Sequence, residues 1–159
     1  IYSGTVAAAL EGRFLRLPSI AVSLVGERLE HFDTAARVVI DLLDWIGTHH
    51  ISDRYLLNIN VPDLPYDRLK GYEITRCGKR DHSEPVSAES DQDGYRVYRI
   101  GKIAAPGDDG PGTDFHATSR DRVSITPLTN DMTHFGILDS LVSTYGQSDL
   151  PAITAPVAP

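Results

Sequence analysis

The sequence predicts an α/β fold, and three observations carry that reading. Residues 19–25 form a near-continuous apolar run, residues 33–49 repeat apolar side chains at three and four, and residues 55–61 form a second apolar run. Strand, helix and strand at these lengths make a βαβ unit, which implies a parallel pair joined by a right-handed crossover. The composition agrees: 41% of the 159 residues are apolar and 23% charged, ordinary usage for a globular chain.

The elements follow in order. Ser3-Gly4-Thr5 before Val6-Ala7-Ala8-Ala9-Leu10 reads as a capped helix start, with a hydroxyl accepting from an orphan amide and alanines supplying strong helix formers. Its thin alanine face lets the helix pack closely on a sheet. Pro18 ends it, and the run 19–25 reads as a buried strand covered on both faces. The helix of 33–49 presents one stripe made of Phe32, Ala35, Ala36, Val39, Leu42, Leu43 and Ile46, with Asp33 in its first turn and His49 and His50 at its far end. Pro62 stops the second strand. Residues 72–75 and 95–100 alternate polar and apolar as half-exposed antiparallel strands do, and the polar stretch 79–93 between them reads as a long loop. Residues 101–112, rich in Gly, Pro and Asp, read as irregular. Residues 123–126 form a short strand ended by Pro127, residues 131–145 a last amphipathic helix, and residues 149–159 a frayed tail. The opening at Ile1-Tyr2-Ser3 falls inside a strand-to-helix turn, which predicts that the chain is the rear part of a longer one.

Charge narrows the partners. Fifteen Lys and Arg against 22 Asp and Glu leave a formal charge of −7, so the basic footprint that a nucleic acid polymer or an anionic membrane requires is missing. No apolar run is long enough to cross a bilayer. Cys77 is the single cysteine, which excludes an intrachain disulfide and fits a reducing compartment.

Four features bear on chemistry. Ser3-Gly4-Thr5 offers hydroxyls and free amides at a helix N-terminus, an arrangement that serves either as a simple cap or as a phosphate cradle. Asp108-Asp109-Gly110 resembles a hard-cation site in its letters, but Pro106-Gly107 and Pro111-Gly112 around it favour a turn in which Asp satisfies local amides. Thr113-Asp114 reads as a cap, and Cys77 at a strand end as a small buried filler, although Arg76 beside it is placed to lower a thiol pKa. The six histidines have no metal-site spacing: His49 and His50 diverge on a helix, and His31, His82, His116 and His134 stand apart.

Read as whole strings, five ordered blocks resemble the SurE (survival protein E) nucleotidase family. They are residues 2–12 with 18–24, Leu57-Asn58-Ile59-Asn60-Val61-Pro62, residues 71–78, Gly112-Thr113-Asp114-Phe115, and residues 123–128. The resemblance implies a Rossmann-type three-layer sandwich lacking its N-terminal strands, with an added β-hairpin and a C-terminal helix. On that basis 1–78 is the rear of the α/β nucleotidase core, 79–112 a hairpin and loop region for oligomerisation, 113–146 the last strand and C-terminal helix, and 147–159 a tail. It further implies a cytoplasmic, divalent-metal-dependent (Mg or Mn) phosphohydrolase of nucleoside 5′- and 3′-monophosphates, some members also trimming polyphosphate, that assembles as a homodimer or homotetramer.

Within that family the metal is held by two consecutive aspartates, a serine and an asparagine that precede the Tyr-Ser-Gly-Thr block. The expectation is therefore that no metal ligand lies in this chain, that the chain alone is inactive, and that Ser3, Gly4 and Thr5 carry over as phosphate contacts. A non-catalytic oligomerisation module is the alternative. The chain departs from the family's pattern at Arg16, where glycine is usual, and at Asp121 and Arg122, where a glycine and an aromatic are common.

Overall fold

The computed structural model describes residues 3–15, 18–49, 56–81, 84–92, 95–101 and 104–145. Residues up to Leu128 form one compact unit and those from Thr129 a second. The first begins with helix α1 (Gly4–Gly12) and a short 3-10 turn (Arg13–Leu15), then strand β1 (Ser19–Val25), helix α2 (Phe32–His49) and strand β2 (Leu56–Pro62). β1 and β2 pair in parallel, with Ser19 opposite Leu56 and Val25 opposite Pro62, as the βαβ reading requires. β8 (Val123–Leu128) lies antiparallel on the other side of β2, and β3 (Tyr72–Ile74) lies parallel to β8, giving the order β1-β2-β8-β3.

The two faces of this sheet differ in chemistry because strand side chains alternate. One face turns Leu57, Ile59, Val61 and Val123 toward Ala35, Val38, Leu42 and Ile46 of α2, with Ile20, Val22, Leu24 and Ile125 packed against them. The other is richer in polar groups: Thr75 and Thr126 share a buried hydroxyl hydrogen bond of 2.7 Å, and the neighbouring Ser124 is fully buried. It carries α1, packed on β1 and β2, and α3 (Asp114–Ser119), packed on β2 and β8. With α2 opposite, these make three layers.

Several sequence expectations are corrected. The buried face of α2 consists of Thr34, Ala35, Val38, Leu42 and Ile46, whereas Phe32, Ala36 and Leu43 are exposed, so the helix is rolled relative to the expected stripe. β3 pairs in parallel with β8 instead of antiparallel. The stretch 79–93 is not one loop: it contains β4 (Lys79–Arg80) and β5 (Ser87–Gln92), the latter antiparallel to β6 (Tyr95–Arg99). Nor is 101–112 wholly irregular, since β7 (Pro106–Asp108) pairs with β4. Pro127 sits within β8, opposite Leu57, and does not end it. β1 is buried only at Ser19 and Ala21, with Val25 exposed. The expectations for Tyr55, Arg16, His50, His82 and the 147–159 tail fall outside the described residues.

Asp121, at the position where glycine is common in the family the sequence resembles, has φ of 63°. Asp is among the few residues that visit this left-handed region, at a cost of about 1 kcal/mol relative to glycine. The turn is tied down by Lys70, whose N–H donates to the Asp121 carbonyl at 2.8 Å and whose ammonium contacts the Asp121 carboxylate at 2.8 Å.

The second unit holds helix α4 (Phe135–Tyr145), entered through Asp131, whose carboxylate accepts from the Thr133 amide at 2.9 Å, and His134, whose Nδ1 accepts from the Ile137 amide at 3.1 Å. No residue of α4 is buried, and its apolar Phe135, Leu138, Leu141, Val142 and Tyr145 recur at helical spacing.

The packing distinguishes side chains that composition treats alike. Ile59 is fully buried in the centre of β2, while Leu43 is 53% exposed on α2. In urea unfolding, Ile59→Ala is expected to cost about 2–5 kcal/mol and Leu43→Ala about 0.5 kcal/mol or less. Equal losses at the two positions would mean that α2 packs on the stripe read from the sequence.

Candidate functional site

Because β1 and β2 are parallel they finish at one edge, at Val25 and Pro62, and in open α/β sheets ligands bind outside the carboxyl ends of the strands. α1 is aimed at that edge. A Cβ on Gly12 would meet Ser19 Oγ at 2.9 Å, which puts the C-terminus of α1 against the start of β1. Nine helical residues rise about 13 Å, so the N-terminus of α1 lies toward the end where β1 and β2 stop.

At that N-terminus Ser3 does the work of a cap. Its Oγ accepts from the Val6 amide at 3.3 Å and its carbonyl from the Ala7 amide at 3.0 Å. Ser3, Gly4 and Thr5 are all exposed, and a Cβ on Gly4 would meet nothing within 4 Å. The first turn of a helix leaves its amides without intrahelical partners, so this is an open, amide-rich surface at the positive end of a helix dipole.

The second structure at the same edge is a loop fastened by Asp63, the residue that follows β2. The Asp63 amide donates to the Val25 carbonyl at 2.9 Å, joining the two strand ends. Its carboxylate accepts from the Glu30 amide at 3.0 Å, from the His31 amide at 2.8 Å and from His31 Nδ1 at 2.9 Å. The loop between β1 and α2 is thereby folded down onto the edge. Gly26 is needed there, since a Cβ would come within 2.4 Å of the Asp63 Cβ, and Leu29 is held at φ of 56°. A carboxylate only accepts, so Nδ1 of His31 carries the proton and Nε2 is the nitrogen left for other partners. The His31 amide is the largest influence lowering the Asp63 pKa; burial opposes it, and the His31 ring and Glu30 amide add to the lowering.

A third cluster lies at the start of α3. Thr113 is its N-cap, with Oγ1 accepting from the His116 amide at 3.1 Å, as the cap reading of Thr113-Asp114 expects. Asp114 Oδ1 accepts from the Gly78 amide at 2.7 Å and the Phe115 amide at 3.0 Å, and Asn60 Nδ2 reaches Oδ2 at 3.5 Å. One carboxylate therefore links β2, the start of β4 and α3. Asp108 is engaged by both terminal nitrogens of Arg76, at 2.6 and 3.1 Å, and this hydrogen bonding holds its pKa below the usual carboxylate value. Among the described residues no group of three or more His, Cys, Asp or Glu is arranged to hold a metal ion. Cys77 is exposed and not a buried filler. Its thiol pKa is pushed up, by desolvation first and by Asp114 second, while the neighbouring Arg76 is paired with Asp108.

An apolar cavity of about 660 Å³ lies on the opposite face and toward the opposite end of the sheet, between α2 and β3. Leu42, Trp45, Leu57, Ile74 and Pro127 line it, and Tyr72 and Tyr66 donate their hydroxyls to Asp41 at its rim. It is an apolar space remote from the exposed amides of α1, so the strand edge is the better site for an anion. Of the residues placed there, Asp63 escaped the sequence reading and His31 entered it only as a histidine without metal spacing. An acid directly after the proline that closes a strand was the available signal. No helix among the described residues is long and apolar enough to cross a membrane.

Comparison with known proteins gives one consistent family. The family model described as survival protein SurE matches residues 1–84. The chain is 51% identical over 142 residues to a 5′-nucleotidase SurE of Coxiella burnetii, covering 89% of this chain and 55% of that protein. It is 52% identical over 141 residues to the 5′-nucleotidase SurE of Mannheimia succiniciproducens, covering 89% and 56%. The crystal structure of the SurE protein from Aquifex aeolicus superposes with a TM-score of 0.72 at 37% identity, over 89% of this chain and 57% of that one. The chain thus spans about half the length of the relatives it matches.

The Asp63 latch has a testable pH dependence. Its folded-state pKa is lowered from 3.8, so its contribution to stability is present above the unfolded value and is lost as pH falls through the folded value. Urea midpoints of the parent and of Asp63→Asn should differ at neutral pH and converge as the pH falls below the unfolded value of 3.8 and through the lowered folded one. A gap that stays constant down the whole titration would show that the carboxylate charge contributes nothing.

Proposed function

The chain belongs to the SurE family, and from that premise we propose that it is the C-terminal portion of a divalent-metal-dependent phosphohydrolase of nucleoside 5′- and 3′-monophosphates, with polyphosphate trimming as a further activity. The observation that carries the reading is the identity of about half over 89% of the chain to proteins named 5′-nucleotidase SurE. In this reading the protein is cytoplasmic and works as a homodimer or homotetramer.

The role assigned to this chain is the anion cradle. The exposed amides at Gly4 and Thr5, the Ser3 and Thr5 hydroxyls and the dipole of α1 bind the phosphoryl oxygens and stabilise charge that develops on them. The open space over Gly4 supports that role, because a phosphate can approach the backbone there without meeting a side chain. The Mg or Mn ion is another matter. On the family resemblance its ligands, a pair of aspartates with a serine and an asparagine, belong to the part of the protein ahead of Ile1. The chain alone is then inactive.

A second reading, a non-catalytic assembly module, is favoured by one observation. Tyr95, Val97, Tyr98 and Ile100 on or beside β6 and the apolar residues of α4 are all exposed, and clusters of this kind mark interaction surfaces. The region 79–112 and helix α4 are together the proposed oligomerisation elements in either reading.

The catalytic reading is tested with AMP or GMP and manganese. The intact protein should turn over the substrate, and Gly4→Ala should raise KM by about tenfold, equivalent to one lost anion contact, while stability changes by less than about 0.5 kcal/mol. The purified 159-residue chain should show no turnover. Robust hydrolysis by that chain would mean that the catalytic ligands are misplaced.

The assembly reading is tested by light scattering on the chain and on a version truncated before Asp131. Loss of the oligomer on truncation is its expected result, and monodisperse monomers in both cases eliminate it.

A further inference from the structure

We propose that His31, oriented by Asp63, donates the proton to the leaving-group oxygen of the phosphomonoester; this rests on the phosphohydrolase reading. Three observations lead there. His31 stands on the loop between β1 and α2, which Asp63 fastens to the carboxyl edge of the sheet through the Glu30 and His31 amides and the Val25 carbonyl. That is the edge toward which α1 carries Ser3, Gly4 and Thr5. The imidazole is then fixed by a further bond, His31 Nδ1 to Asp63 at 2.9 Å. The two backbone amides already account for the latch, so the ring contact is additional to what loop closure requires. Finally, the His31 side chain remains 33% exposed while Asp63 is 10% exposed, the combination of a largely covered orienting carboxylate and an accessible ring. A carboxylate that fixes the tautomer and orientation of a histidine leaves the distal nitrogen directed for proton transfer.

The step balances as a hydrolysis. The oxygen of a water molecule forms the new bond to phosphorus, the bond from phosphorus to the sugar oxygen breaks, and that oxygen leaves with the electron pair. It takes the proton from Nε2 of the doubly protonated ring. The attacking water gives its own proton to solvent, from which the ring is recharged. Asp63 acts through His31 and is a positioning residue.

Leaving-group dependence separates this role from a structural one, because a nucleoside alkoxide needs a proton to depart and p-nitrophenolate does not. In the intact protein with manganese, His31→Gln is expected to lower kcat on AMP by about a hundredfold or more and to change kcat on p-nitrophenyl phosphate by less than threefold. Asp63→Asn should show the same discrimination in weaker form, with the loss in kcat and not in KM. Thermal unfolding of both variants establishes that they are folded, and His31→Gln, at a partly exposed position, is the variant on which the test depends if Asp63→Asn opens the loop. Equal losses on the two substrates, or no loss on AMP, would overturn the assignment to His31 while leaving the phosphohydrolase reading in place. Absence of turnover on both substrates by the parent protein would instead remove the phosphohydrolase reading, and this inference with it.

Discussion

The parallel pairing of β1 with β2 is the constraint on which the remaining structure depends. Its register sets Ile20 beside Leu57, Val22 beside Ile59 and Leu24 beside Val61, which gathers one apolar surface for α2 to cover. The same register puts Ser23 beside Asn60 and Ala21 beside Asn58 on the opposite face, where α1 and α3 pack. A slip by one residue would exchange the faces and present serine and asparagine to Val38 and Leu42. Parallel pairing also makes both strands end together, and this creates a carboxyl edge at which loops and a helix terminus converge.

Two carboxylates convert that sheet into a defined edge. Asp63 links the end of β2 to the end of β1 and to the loop entering α2, using its amide and both carboxylate oxygens. Asp114 does the equivalent for α3, joining Gly78 and Phe115 amides with Asn60 nearby. Each acid accepts from backbone donors of a tight loop and so fixes that loop's path. The acidic residues that matter to this architecture therefore hold main chain, while Asp108 pairs with the Arg76 guanidinium.

Much of the fold was legible from periodicity. β1, α2 and β2 appear within a residue of where their apolar patterns place them, because each pattern is long enough to select one geometry, whereas α4 starts at Phe135, four residues after the expected Asp131. The roll of α2 was not legible. Ala35, Leu42 and Ile46 fit either of two overlapping stripes, and only contact with Ile59 and Val61 selects Val38 and Thr34 over Ala36 and Leu43. β4, β5 and β7 escaped for a different reason: Lys79-Arg80, the polar segment 87–92 and Pro106-Gly107-Asp108 have no strand-like alternation. β4 and β7 are strands only through each other, far apart in sequence, and β5 is a strand through its neighbour β6. At the candidate site the hydroxyl-and-glycine turn was visible as a string, whereas the Asp63 latch was not, because the residues it joins lie 32 and more positions apart.

By itself, the sequence determined the α/β class, the parallel crossover and the identity of the turn at Ser3-Gly4-Thr5, since short-range patterning and turn chemistry act within a few residues. The order of the strands, the parallel docking of β3 on β8, the buried face of α2 and the meeting of His31 with Asp63 were decided by the tertiary structure alone. These depend on which surfaces close over one another, and burial is a property of the folded chain that no local run of residues carries.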